Sequence, residues 1–571
     1  MVATTPAPRL SLAVEAIGPQ TTTIRSLDWD RSRFDIEFGL QNGTTYNSFL
    51  IEADRKALVD TSHAKFQATY VDQLRELTDL STLDYLIISH TEPDHSGLVG
   101  DILAIAPNVT VVGSKVALQF LENQVHRPFQ KLQVKNGDRL DLGQGHELEF
   151  VSAPNLHWPD TIFTYDPASQ ILFTCDAFGM HFCDERTFDE DLQQIEGDFQ
   201  YYYECLMAPN ARSVLAALKR MKALGEITTI ATGHGPLLRR NLQEWVDRYQ
   251  HWSEQKATAE TSVLIGYLSD YGYSDRLSQA IGRGLVKTGV AVEMVDLRAV
   301  DPQELIEAVS SARGIVLGTP PSQPSEAVAT ALSTIFAAAH NKQAIGLFDS
   351  YGGDDEPIDA LLAQFRNLGL HTAFPPIRVK DQPTEAIYQQ CEESGTDLGQ
   401  WLTRADAIQT MKSLNSDLDK ALGRLSGGLY IITARKGEVS GAMLASWVVQ
   451  ASFKPLGFTV AVAKDRAIES LMQVGDRFVL NILGEDNYAP LMKHFLKRFP
   501  PGADRFAGVE TQTASNGSPI LTAALAYLEC EVASRMDCSD HWLVYCQVEQ
   551  GRVSRADVRT AVHHRKVGNH Y

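Results

Sequence analysis

His90-Thr91-Glu92-Pro93-Asp94-His95 is the stretch from which the rest of this chain is read. It sets two imidazoles and two carboxylates within six residues, directly after the apolar run Tyr85-Leu86-Ile87-Ile88-Ser89. Such a run predicts a buried strand, so the donors fall on a loop that a rigid sheet can hold in place. Further out, three more donors follow apolar runs. His157 comes after Leu148-Glu149-Phe150-Val151, Asp176 after Ile171-Leu172-Phe173-Thr174, and His234 after Thr228-Thr229-Ile230-Ala231. Four imidazoles and three carboxylates are more than one tetrahedral ion takes up; they suit two metals that share a bridge. Nitrogen and hard oxygen donors without a thiolate favour a catalytic pair such as iron over a structural zinc.

The surrounding chain is long for a single core. At about 150 residues per domain, 571 residues imply three or four units. Lys+Arg 51 against Asp+Glu 71 gives a net charge of -20, which disfavours nucleic-acid and anionic-membrane surfaces. No stretch approaches the ~20 apolar residues of a membrane span. The start, Met1 to Arg9, has no charged segment followed by an apolar core, so no secretory signal is expected. The seven cysteines are odd in number and form no C-x-x-C pair, which disfavours a disulfide framework or a rubredoxin-type site. A reducing, cytoplasmic location is the simplest expectation.

Strand and helix patterns alternate over 30–256. A second alternation opens with Val263-Leu264-Ile265-Gly266-Tyr267-Leu268, continues with a helix from about Asp275 to Lys287 closed by Gly289, and extends over 261–402. It reads as an α/β unit with a parallel sheet. A polar, helical linker is expected over about 403–420. Over 421–571 the texture changes to short β-rich runs such as Arg477-Phe478-Val479-Leu480-Asn481-Ile482-Leu483, which predict a mostly antiparallel barrel.

The first unit resembles the metallo-β-lactamase fold and, within it, the flavodiiron proteins. Zinc hydrolases of that fold usually show H-x-H-x-D-H; this chain carries Glu92 at the third position, as flavodiiron proteins do. An added carboxylate charge stabilises a ferric ion. The resemblance implies one iron on His90, Glu92 and His157, and a second on Asp94, His95 and His234, with Asp176 bridging. His181 and the Tyr201-Tyr202-Tyr203 run are possible proton donors, although core packing is the simpler role for most of these tyrosines.

In the second unit, Ser269, Gly272 and Ser274 lie between a strand and a helix and form a phosphate cradle of hydroxyls and free N–H groups. Thr319, and then Ser350, Tyr351 and Gly352, follow later strands. The three loops resemble those of flavodoxin, which hold FMN at the ends of parallel strands. No G-x-G-x-x-G occurs in this unit, so a mononucleotide fits better than a dinucleotide. In the third unit, Gly441 to Ser452, Asp540-His541 and His563-His564-Arg565 resemble, in order, the flavin-reductase-like split barrel. That resemblance implies a second flavin, FMN or FAD, hydrogen-bonded by Ser446, Gln450 and Ser452. His541 would stand near the flavin or the nicotinamide of NAD(P)H.

The three-part order resembles flavodiiron proteins of oxygenic phototrophs. It implies NAD(P)H-dependent reduction of O2 to water at two irons, with flavins relaying electrons drawn from NAD(P)H or another photosynthetic donor, as a photoprotective electron sink. It also implies a head-to-tail homodimer, or a heterodimer with a related chain. NO reduction at the same site, a binuclear zinc hydrolase with appended flavin domains, and a flavoprotein with a silent metal site are the alternatives.

Overall fold

The computed structural model describes residues 9–34, 38–257, 261–268, 273–300, 302–349, 357–379, 382–413 and 417–565, with backbone alone at 38, 405–413 and 419. In and just past the strand Tyr85–Ile87, alternate side chains serve two cores. Leu86 and Ile88 face helices, and Ile87 faces a second sheet. That two-sided burial makes the whole run apolar.

The strand belongs to a seven-stranded sheet that begins at Leu10. The strands Leu10–Gly18, Thr21–Asp28, Thr44–Glu52 and Lys56–Val59 pair antiparallel, and Tyr85–Ile87, Thr110–Gly113 and Gln130–Gln133 extend the sheet in parallel. A five-stranded sheet, Arg139–Asp141, Glu147–Ser152, Ile162–Asp166, Ile171–Cys175 and Thr229–Thr232, packs against it. Phe49, Val59, Ile87 and Val112 of the first sheet meet Phe150, Ile162, Phe173 and Ala231 of the second. Helices Gln67–Leu77, Val99–Ile105 and Lys115–Val125 cover the outer face of the first sheet. Helices Leu192–Tyr202, Ala211–Met221 and Leu242–Ala257 cover the second. The layers are αββα, as the resemblance implies.

The next unit is a parallel sheet in the order Ala291–Asp296, Ser262–Tyr267, Gly314–Thr319, Ala344–Asp349, His371–Thr372. This is the flavodoxin-like doubly wound order, with a switch point between Ser262–Tyr267 and Gly314–Thr319. Helices Ser274–Lys287 and Glu385–Ser413 share one face of it. The second of these is one continuous helix of 29 residues that runs as far as Ser413, into the helical stretch expected over about 403–420.

The two helices touch backbone to backbone. A Cβ on Gly284 would stand 2.0 Å from the Glu392 carbonyl oxygen, and one on Gly395 would stand 2.0 Å from that of Ile281. Only hydrogen fits between them. Gly284→Ala is expected to push the helices apart at a cost of about 1–3 kcal/mol. A thermal melt with an unchanged midpoint would show that this close approach contributes nothing.

The third unit is a seven-stranded antiparallel sheet whose edge strands are Val439–Ala445 and Val448–Phe453. Those opposite edges are consecutive in the chain, joined only by Ser446 and Trp447. The sheet must therefore curl until its edges adjoin, which makes it a barrel. Met443, Phe458, Val460, Phe478, Cys530 and Val544 fill its interior. No helix among the described residues is long and apolar enough to cross a membrane.

Candidate metal centre and flavin sites

All seven donors arrive at one pocket from strand ends. Past Tyr85–Ile87 the chain turns through His90 into a one-turn helix, Pro93–Ser96, with proline at its first position. His157 lies beyond Glu147–Ser152, Asp176 follows Ile171–Cys175 directly, and His234 follows Thr229–Thr232. His90, Glu92, His157 and Asp176 bring donor atoms within 4.8 Å of one another, and so do Asp94, His95 and His234.

Asp176 stands between the two groups. Its Oδ2 lies 3.4 Å from His90 Nε2 and 3.2 Å from His157 Nε2. Its Oδ1 lies 3.0 Å from His95 Nε2 and 3.4 Å from His234 Nε2. Glu92 Oε2 completes the first group, 3.0 Å from His157 Nε2 and 3.3 Å from His90 Nε2. Asp94 completes the second, with Oδ2 3.3 Å from His234 Nε2.

The far side of each ring is held as well. Asp160 Oδ1 meets His90 Nδ1 at 3.0 Å, while its Oδ2 accepts from the Thr91 N–H and hydroxyl. The Thr45 carbonyl takes His234 Nδ1 at 2.6 Å. Gln279, on the first helix of the flavodoxin-like unit, donates to the His157 carbonyl at 2.9 Å and reaches His157 Nδ1 at 3.5 Å. A ring that donates from Nδ1 presents a bare Nε2 lone pair to the pocket, and outer partners of this kind orient ligands to metals.

A metal pair fits what is present. The Asp94 Oδ1 and Asp176 Oδ2 oxygens are buried with no hydrogen-bond donor, and His95 Nε2 and His234 Nε2 face each other at 3.1 Å. Two ring nitrogens and bare carboxylate oxygens converging in one buried pocket suit cations. Burial alone would lower the His157 and His234 imidazoles, but the facing carboxylates outweigh it and raise both to about 10. Burial alone would raise Glu92 and Asp176; the imidazoles hold both well below the usual carboxylate range.

Two residues beside the pocket gain weight from the structure. The His181 ring lies 4.6 Å from His234, and its Nδ1 meets Thr44 Oγ1 at 2.7 Å. The Tyr202 ring lies 4.9 Å from His181, and its hydroxyl is buried without a partner. Burial pushes the His181 imidazole well below its usual range, keeping it neutral, and pushes the Tyr202 hydroxyl well above its own, keeping it protonated. Both line a cavity of about 280 Å³ whose other wall, Gln473, Arg535 and Trp542, comes from the third unit. The sequence offers His181 and the Tyr201-Tyr202-Tyr203 run as possible proton donors, with core packing the simpler role for most of the tyrosines. The loop of His181 and the helix of Tyr202, not their spacing, bring them to His234.

The flavin residues divide. Ser269, Gly272, Ser350, Tyr351 and Gly352 lie outside the described residues. Ser274 Oγ accepts from the Leu268 N–H at 3.0 Å, and Thr319, at the switch point, has a buried hydroxyl with no partner. In the barrel, Ser446 is buried with its hydroxyl unpartnered, and the next residue, Trp447, lies 5.2 Å from His541 between ring centroids. Gln450 is exposed farther along the edge strand, and Ser452 is engaged with the Pro455 carbonyl and the Tyr545 hydroxyl.

A metallo-β-lactamase-type sandwich with two donor clusters about one carboxylate, followed by a flavodoxin-like sheet and a split barrel, defines a binuclear-metal flavoprotein. Known proteins agree at each level. Residues 44–235 match the ODP family beta lactamase model, and residues 422–569 match the flavin reductase like domain. Diflavin flavoprotein A 1 of Synechocystis sp. is 68% identical over 571 residues, 100% of both chains. Putative diflavin flavoprotein A 3 of Nostoc sp. is 66% identical over 564 residues, covering 99% of this chain and 98% of that one. The metal-soaked flavodiiron core from Synechocystis sp. superposes with a TM-score of 0.63 at 38% identity, over 70% of this chain and 100% of that one. The chain belongs to the diflavin flavoproteins, the flavodiiron family of the cyanobacterial type. It is an oxidoreductase with flavin and iron as its cofactors.

Proposed function

We propose that this chain reduces O2 to water with electrons from NAD(P)H. The observation that carries the reading is the Asp176 carboxylate, whose two oxygens face two separate histidine–carboxylate groups. His90, Glu92 and His157 would hold one iron, Asp94, His95 and His234 the other, with Asp176 shared. Irons bound there would supply an oxygen-binding centre that changes oxidation state. FMN held near Ser274 and Thr319, and a second flavin held near Ser446 and His541, would divide hydride pairs into single electrons. Two NAD(P)H and two protons per O2 balance the formation of two waters.

The protein's own part is charge and protons. Glu92 places a carboxylate where the hydrolases of this fold place an imidazole, and that negative charge favours the ferric state. Tyr202 keeps its proton beside a neutral His181, on the His234 side of the pocket, and would serve as a proton donor there. Tyr202→Phe is expected to lower the turnover rate about 100-fold or more with iron content unchanged. A variant at the parent's rate would remove Tyr202 from the proton path. The reading as a whole is tested by iron analysis and an oxygen electrode with NADH and NADPH, beside an anaerobic NO trace. Two zincs per chain and no O2 uptake would overturn it. Faster NO than O2 consumption would reassign the substrate. The protein is expected to work in the cytoplasm as a dimer, with itself or a related chain.

A further inference from the structure

A cavity of about 960 Å³ lies where the three units meet. Its volume is that of a cofactor site. The barrel contributes an aromatic wall, Trp447, His541 and Trp542; the metal unit contributes Lys256, and the flavodoxin-like unit contributes Arg283 and Arg404. Carboxylates line the cavity as well, Glu392 and Glu469 among them, but in a chain of net charge -20 a wall with Lys256, Arg283, Lys287, Arg404, Lys464 and Arg466 is richer in cations than the average.

Other cations at the cavity are already engaged. Lys287 is paired with Glu392 and Glu469, and Lys464 with Asp537 at 2.7 Å. Among the described residues, no ion pair or hydrogen bond engages Lys256 or Arg404. Burial lowers the Lys256 ammonium, and the pull of Glu204 and push of Lys464 are lesser effects. A half-buried, unpaired cation gains from an arriving anion.

We propose that this cavity is a composite nucleotide site. The ring of the nucleotide lies against Trp447 and His541, and its phosphate is held across the unit boundaries by Lys256, Arg283 and Arg404. Aromatic walls suit a flat heterocycle, and guanidinium and ammonium groups suit a phosphate. The phosphate belongs to a pyridine dinucleotide or to a flavin mononucleotide. The proposal rests on the reading that the barrel handles hydride. It adds that the barrel does not hold its nucleotide alone.

The test uses the full-length holoprotein. Calorimetric titration with NAD+ and NADP+ reads the dinucleotide, and the flavin-to-protein ratio after extended dialysis reads the mononucleotide. In a Lys256→Gln/Arg404→Gln double variant, one of the two is expected to weaken about tenfold or more, each charge-assisted contact being worth about that factor. Weaker NADP+ or NAD+ binding with flavin retained identifies the dinucleotide phosphate. Loss of one flavin per chain identifies the mononucleotide. Lys256→Arg/Arg404→Lys, which keeps both charges, is expected to restore most of the loss. Unchanged nucleotide affinity and flavin retention in the glutamine variant, with hydride uptake intact, overturn the composite site alone. A parent protein that binds neither dinucleotide and retains no barrel flavin overturns the hydride reading and this site together.

Discussion

Asp176→Ala is expected to abolish oxygen uptake and to leave at most one iron where the parent holds a pair. Removing only an outer partner of a metal ligand costs about 10–100-fold in affinity. Asp176 is placed to be a ligand itself, shared by both ions, with four histidine Nε2 atoms within 3.4 Å of its oxygens. Its loss also strips negative charge from four buried imidazoles. Asp176→Asn keeps the shape without the charge and is expected to fall between parent and alanine variant in bound iron. The measurements are elemental analysis and an oxygen electrode. An alanine variant with both irons and the parent's rate would show that the bridge lies elsewhere.

The second large effect is structural. Glu469 lies 4% exposed in the barrel unit and faces two cations at once. Lys287 of the flavodoxin-like unit reaches it at 2.6 Å, and Arg535 pairs with it from the barrel's own strand. Arg535 also holds Gln473, which accepts the Tyr201 hydroxyl of the metal unit at 3.0 Å. One carboxylate thus anchors a chain of contacts across all three units. Glu469→Ala would leave Arg535 uncompensated in a buried setting and Lys287 with Glu392 alone, an expected loss of about 3–5 kcal/mol. Replacing Glu469, Lys287, Arg535 and Glu392 together by methionine is expected to recover most of that loss, because packing then substitutes for the ion pairs. Thermal unfolding of the three proteins decides it. An alanine variant as stable as the parent would mean that the pairs are decorative.

The same group sets an acid limit. Burial alone would raise Glu469, but Lys287 and Arg535 outweigh it and hold its carboxyl at about 2, against 4.5 for the free group. A depressed carboxylate stabilises the folded state fully above its unfolded value and loses that contribution as pH falls. Stability is therefore expected to decline between about pH 4.5 and pH 2, by an amount on the order of 3 kcal/mol from this group. In the methionine protein that part of the decline should vanish.

Much of this was legible in the chain because buried strands announce themselves. Tyr85 to Ile88 are apolar on both faces, so the sequence alone places the donors after them at a strand end. The barrel was legible from its short β runs, and the parallel sheet from alternation. Other features were not. The strand Leu10–Gly18 is a largely exposed edge, so its side chains carry no core pattern. Asp160, Thr45 and Gln279 fix the histidine rings through contacts that span 70, 189 and 122 residues. Nothing local distinguishes them from other aspartates, threonines and glutamines. Glu469 reads as one more surface acid until the fold closes over it, and the Gly284–Gly395 contact needs two helices brought together.

The helix Ser274–Lys287 spans 14 residues, roughly 21 Å end to end. Its leading tip takes the Leu268 N–H through Ser274, its waist clasps His157 through Gln279, and its tail grips the barrel through Lys287. A rigid rod with three such moorings behaves like a balance beam. A tilt imposed at any mooring would therefore strain the other two, so the placing of His157 and the docking of the barrel rest on one common strut.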